Sequence, residues 1–135
     1  LPLVIHTRGA KDDTLALLRE YGQGQVHGVL HCFTEDLDMA QQAIDMGFYI
    51  SISGIITFRN AESLRDTVKA LPLERLLIET DSPWLAPVPF RGKPNEPRYV
   101  AQVAECVAEL KGVDVAELAR ITRDNFFTLF NKAQP

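Results

Sequence analysis

At 135 residues, with 46% hydrophobic and 24% charged side chains, the chain has the size and composition of one ordinary globular domain, which excludes a disordered or low-complexity polypeptide. A net charge of −4 argues against broad electrostatic capture of nucleic acid, although bound cations and a few local arginines can supply positive charge at a single site. Two cysteines are too few for a disulfide scaffold and point to a reducing, cytoplasmic setting, and no apolar run approaches the ~20 residues that span a bilayer.

The first predicted element is a strand over Pro2 to His6, rich in Leu, Val and Ile, and the chain opens on Leu1 at its edge. Thr14, Leu17, Leu18 and Tyr21 then recur at helical spacing, with Gly22 as the stop. A second strand runs from Gly28 to Cys32, and Thr34, Glu35 and Asp36 form a helix start leading through Ala40, Ala43 and Ile44 to Gly47. The third strand, Phe48 to Gly54, alternates more than the others and places serines on one face. Asn60 is placed to cap a helix carrying Leu64, Val68 and Leu71, closed by Pro72, and the fourth strand runs from Leu76 to Thr80. Near-continuous apolarity is what parallel strands buried on both faces show. The intervals His6–His31, His31–Gly54 and Gly54–Asp81 are 25, 23 and 27 residues, each the length of one strand-plus-helix unit. The predicted fold is therefore α/β, built from successive parallel β/α units with right-handed crossovers.

After the fourth strand, five of the eight prolines fall within Pro83 to Pro97, together with Arg91, Gly92, Lys93 and Asn95. A stiffened loop at the carboxyl end of a strand reads as functional, because proline lowers the entropy lost in holding one shape. Val100, Val103, Ala104, Val107 and Leu110 mark a helix stopped by Gly112. Asp114 with Glu117 has the form of a capping box for a last helix, whose aromatic end, Phe126 to Phe130, is expected to pack onto the body.

Chemistry concentrates at strand ends. His6, His31 and Asp81 each close an apolar run at the carboxyl end of a strand, the rim where active sites of parallel α/β folds assemble. Imidazole and carboxylate there suit Zn2+, Mn2+ or Mg2+, depending on the remaining ligands. For any one histidine, hydrogen bonding to a neighbouring loop is a competing role; three equivalent placements favour a metal site. Glu79 stands two residues before Asp81 on the same strand face, as an acid/base or as a partner orienting a ligand. Arg8, Arg59, Arg91 and Lys93 lie in loops at the same rim, either as solvated charges or as a phosphate-binding set. His27 sits at the opposite end of its strand. Cys32 faces away from His31 and is expected to pack, and Cys106 to lie buried and inert in a helix.

Six segments together resemble the TatD-type metal-dependent deoxyribonucleases. They are Pro2 to Arg8, His31-Cys32-Phe33, Ser53-Gly54, Glu79 to Leu85, Arg91-Gly92-Lys93 with Asn95-Glu96-Pro97, and Asn125-Phe126. They fall in the family's order and cover essentially the whole chain. The resemblance implies a distorted (β/α)8 barrel with a site for two divalent metal ions (Mg2+, Mn2+ or Zn2+) that hydrolyses phosphodiester bonds, in an exonuclease-like manner, in DNA. It implies His6 and His31 as metal ligands on the fifth and sixth strands. Asp81 would be a ligand on the eighth strand and also the residue that activates water. Thr7, Arg8, Glu79, Trp84 and Arg91 would be supporting or substrate-contacting residues.

The family's N-terminal His-x-His and its metal-bridging glutamate have no counterpart here, and a whole barrel needs about 250 residues. Residues 1–135 are therefore expected to form a single partial domain, the C-terminal half (strands 5–8) of a TIM-like metal-dependent hydrolase barrel. Its expected partners are DNA and either the missing N-terminal half-barrel or a second copy covering the open strand edges, with no membrane. The chain alone is expected to be weak or inactive. Two other readings stand beside this one: an amidohydrolase-like enzyme acting on lactone, amide or organophosphate bonds, and a non-catalytic half-barrel.

Overall fold

All 135 residues are described by a computed structural model. Four parallel strands, Leu3–His6 (β1), Gly28–His31 (β2), Tyr49–Ile52 (β3) and Leu76–Ile78 (β4), lie side by side in chain order. Five helices connect and follow them: Lys11–Gly22 (α1), Leu37–Asp45 (α2), Glu62–Ala70 (α3), Val100–Lys111 (α4) and Val115–Leu129 (α5).

Alternation along the strands divides the side chains between two faces. Ile5, Leu30, Ile50, Ile52, Leu76 and Ile78 point to the helical side, where they join Leu15, Met39, Val68, Val103 and Leu118 in the main core. Burying each such aliphatic side chain stabilises the fold by about 1.5–3 kcal/mol relative to leaving it exposed. On the inner face Val29, Tyr49 and Leu77 form a smaller cluster with Leu129 and Phe130 of the C-terminal segment. The register sets His6 directly opposite His31, so the inner face carries both imidazoles at one level.

The expected strands and helices are present, with corrections at their ends. The third strand stops at Ile52 instead of Gly54, because Gly54 opens a 3₁₀ turn, Gly54–Thr57. The fourth stops at Ile78; the Glu79 N–H still donates to Ile52 O at 2.9 Å, and Thr80 leaves the sheet. Helix α1 extends through Gly22, and the left-handed residue that ends it is Gln23. Helix α2 is capped by Asp36, whose carboxylate accepts the Met39 N–H at 2.9 Å, so Thr34 stays outside it. Asn60 caps nothing, since α3 begins after Ala61. The capping box at Asp114 does not form: the Arg120 guanidinium engages both oxygens of Glu117 at 2.7 and 3.0 Å, drawing that carboxylate away from the helix start. Gly112 ends α4 in the left-handed conformation as expected (φ 65°).

β1 and β4 are the sheet edges. Leu3 and Val4 remain 42% and 62% exposed. Between the inner face and α5 runs an open groove of about 570 Å3, lined by Val4, Val29, Leu77, Phe126 and Phe130 among others. The aromatic end of α5 is thus divided. Leu129 is buried as expected, whereas Phe126 is 42% exposed along the groove.

Candidate metal centre

β2 delivers His31 and β4 points Glu79 toward it. His31 Nδ1 lies 2.7 Å from Glu79 Oε1, and the Cys32 N–H donates to Glu79 Oε2 at 3.0 Å. With Nδ1–H donated to the carboxylate, Nε2 is left as the free acceptor of the imidazole. Asp81 follows in the left-handed conformation (φ 59°), which aspartate tolerates better than most residues. That turn brings its carboxylate within reach of the pair: candidate donor atoms of His31, Glu79 and Asp81 all lie within 4.8 Å of one another. The imidazole and the free Asp81 carboxylate, with Glu79 orienting the ring, are donors that fit a divalent cation of the Zn2+, Mn2+ or Mg2+ kind.

His6 stands beside this set rather than inside it. Its ring centroid is 5.5 Å from that of His31, and its side chain is exposed at the edge strand. Cys32 takes the left-handed conformation (φ 48°), which breaks the strand directly after His31, and its thiol lies 3.3 Å from Ser53 Oγ. Burial pushes the thiol above its ordinary pKa. Its placement is the packing role expected from sequence. Cys106 is only partly buried, not fully as expected, with Sγ near Ile56 O; burial raises its pKa as well. His27 is exposed at the far end of the sheet.

A cavity of about 220 Å3 opens beside the carboxylate between two loops, lined by His6, Thr7, Arg8, Asp81, Trp84 and Leu85 among others. Trp84 is 70% exposed there. Arg91 is not free at the rim: its guanidinium lies 3.7 Å above the Phe58 ring, with Nη1 3.5 Å from Ala86 O. Arg8, Arg59 and Lys93 are exposed.

Two asparagines and a glycine fix the strands of this site, Asn95 and Gly54 at the rim and Asn125 at the opposite, amino end of β4. Asn95 is 4% exposed, and its Nδ2 donates to Thr80 O and Trp84 O, both at 2.7 Å, bridging the segment that contains Asp81. Asn125 on α5 does the same for the base of β4, donating to Leu73 O and Leu76 O at 2.8 Å. At Gly54 a Cβ would overlap Leu85 O, so only glycine allows the third strand's exit to approach this loop. All three lie within the segments that resemble the TatD family; the bonds themselves depend on distant backbone.

Residues 1–131 match the family described as TatD related DNase. The chain is 61% identical over 130 residues to YcfH of Escherichia coli (strain K12), named an uncharacterized metal-dependent hydrolase, covering 96% of this chain and 49% of that protein. It is 48% identical to the Bacillus subtilis (strain 168) uncharacterized metal-dependent hydrolase YabD, covering 96% of this chain and 51% of the relative. Among solved structures it superposes on YJJV, a TatD homolog from Escherichia coli K12, with a TM-score of 0.89 at 34% identity, over 97% of this chain and 50% of that one. The chain spans about half the length of the curated relatives it matches, and its four parallel β/α units form half of a TIM-like barrel. Fold, strand-end donor set and sequence agree, and the chain belongs to the TatD-related family of metal-dependent hydrolases.

Proposed function

We propose that this chain supplies the C-terminal half of a metal-dependent phosphodiesterase site that hydrolyses DNA. The observation that carries the reading is the convergence of His31, Glu79 and Asp81 within 4.8 Å at the carboxyl rim of the sheet. Arg8 on the adjoining loop supports a phosphate ester over a neutral lactone or amide, since a guanidinium suits anionic oxygens. A divalent cation bound at this rim supplies Lewis acidity and lowers the pKa of water. His31 would hold it through Nε2, with the ring oriented by Glu79 on Nδ1. No protein group donates to the Asp81 carboxylate, which leaves it to complete the donor set and to take the proton of the attacking water. His6 would add a donor for a second cation, and Thr7 and Arg8, which line the same cavity as Asp81, would meet the phosphate.

The remaining ligands, on this reading, come from an N-terminal half-barrel that pairs with the edges of β1 and β4. No helix of the chain is long and apolar enough to cross a membrane, and two free cysteines fit a cytoplasmic enzyme.

The test uses the polypeptide that contains both halves, assayed on single-stranded DNA and on a lactone panel with Mg2+ or Mn2+. Nucleotide release should depend on added metal and fall at least ~100-fold in Asp81→Asn, as expected for loss of a general base. Lactone hydrolysis without DNA cleavage, or an Asp81→Asn variant with full activity, would overturn the proposal.

A further inference from the structure

Trp84 combines an exposed side chain with a fixed backbone. Its side chain is 70% exposed, leaving most of a large apolar ring system in water. Its backbone, by contrast, is held on both sides. The Trp84 N–H donates to Asp81 O at 3.0 Å, and Trp84 O accepts from the buried amide of Asn95 at 2.7 Å. The other proton of that amide goes to Thr80 O, and the Asn95 N–H donates to Pro83 O at 2.9 Å. Leu85 follows at φ 58°, a conformation a leucine keeps only when its surroundings impose it. The fold thus fixes the peptide on either side of Trp84 while leaving the indole free.

That indole is not part of the open sheet face, because Trp84 is absent from the lining of the inner groove. It lines instead the cavity of about 220 Å3 shared with Asp81, Arg8, Thr7 and Leu85. The same turn that carries the Asp81 carboxylate presents the ring, so their separation is set by one hydrogen-bonded loop. A cation, a carboxylate and a rigid, solvated aromatic face around one cavity match a nucleotide: phosphate toward Arg8 and the carboxylate-bound cation, base against the ring.

We propose that Trp84 is a stacking platform for a base of the strand whose phosphodiester lies at the metal centre. This rests on the phosphodiesterase reading above. Because every base has a π-face, the platform confers binding without base preference.

Trp84 is the only tryptophan of these 135 residues, so in the whole polypeptide the emission lost on Trp84→Phe is the part that reports on this position. The polypeptide that contains both halves is titrated, with Mn2+ present, with thymidine and adenosine monophosphates, and with ribose 5-phosphate as the sugar-phosphate control. A labelled short oligothymidylate then measures the affinity of Trp84→Ala and Trp84→Phe, with circular dichroism to verify folding. Both nucleotides should quench the emission saturably and ribose 5-phosphate should not. Trp84→Ala should weaken oligothymidylate binding about tenfold or more, and Trp84→Phe should bind within about threefold of the parent. Ribose 5-phosphate quenching as the nucleotides do, no quenching by any of them, or an alanine variant with parental affinity overturns the platform and leaves the hydrolysis test untouched. Nucleotide quenching together with an intact protein that cleaves no phosphodiester removes the hydrolase reading and leaves the base platform standing.

Discussion

Both oxygens of Glu79 are already engaged by protein donors, Oε1 with His31 Nδ1 at 2.7 Å and Oε2 with the Cys32 N–H at 3.0 Å. Asp81 has no such partner, and this contrast divides the two carboxylates into an orienting group and a free donor. In Glu79→Gln one carboxylate oxygen becomes an amide NH2, which must face either Nδ1–H or the Cys32 N–H, donor against donor. We therefore expect affinity for Mn2+, measured by titration calorimetry, to fall about 10–100-fold. We also expect nitrogen-15 NMR of the metal-free protein to show His31 losing its preference for the Nδ1–H tautomer. Parental affinity with an unchanged tautomer would place Glu79 outside the site. The spacing Glu79-x-Asp81 already put both residues on one strand face, but it left Glu79 open as acid/base or orienting partner. The choice depends on a main-chain N–H and an imidazole two strands away, and no local pattern encodes that geometry. His6 shows the converse. Its strand-end position was legible, whereas its 5.5 Å ring separation from His31 depends on how the edge strand sits.

At the scale of elements, the sequence identified what depends on long stretches and missed what depends on one competing contact. All four strands lie where the apolar runs put them: β2, β3 and β4 are largely buried, which requires continuous apolarity, and β1 carries the same pattern at the exposed edge. The caps were legible only in part. Thr34, Asp36 and Asn60 all have side chains able to cap a helix, yet only Asp36 does so, being also gripped by Lys11 at 2.9 Å. Asp36→Ala should lower stability by about 1 kcal/mol, the usual loss on removing a cap, seen as a lower melting temperature. The hydrogen bond from Lys11, followed by that from the Met39 N–H, holds the Asp36 pKa below its ordinary 3.8. A depressed carboxylate contributes its stability fully above the unfolded value and loses it as pH falls through the folded one. The gap between parent and variant should therefore be constant near neutrality and close only below about pH 4. A gap that persists unchanged in acid would show that the carboxylate charge plays no part. Gly54 makes a second case. Its φ is not left-handed, so flexibility is not the reason for glycine there; the close approach of Leu85 O is. Gly54→Ala should cost about 1–3 kcal/mol in urea unfolding, as overpacking does, because the Ala86–Pro87 backbone is buried and has little room to retreat. An unchanged urea midpoint would show the loop to be pliant.

The molecule as a whole is asymmetric in what it leaves uncovered. The helical face of the sheet is closed by twenty buried core residues, whereas the inner face meets a groove of about 570 Å3 with Val4 62% and Phe126 42% exposed beside it. Both edge strands also carry main-chain donors and acceptors with no ladder partner. Apolar surface and an unpaired parallel edge side by side are what a further strand-bearing unit covers, and a chain lacking that cover associates with itself. The relatives matched by this chain are about twice its length, which supplies a unit of the required size. We therefore expect the 135-residue chain alone to sediment as associated species. Phe126→Asp, at a partly solvated position where the charge need not be buried, should shift it toward monomer without altering its circular dichroism. Co-expression with the N-terminal half should instead yield a one-to-one complex in which the β1 and β4 amides gain protection from hydrogen exchange. If the isolated chain sediments as a stable monomer with those edge amides already protected, the half-barrel needs no cover, and the ligands missing from its rim must be sought within the chain itself.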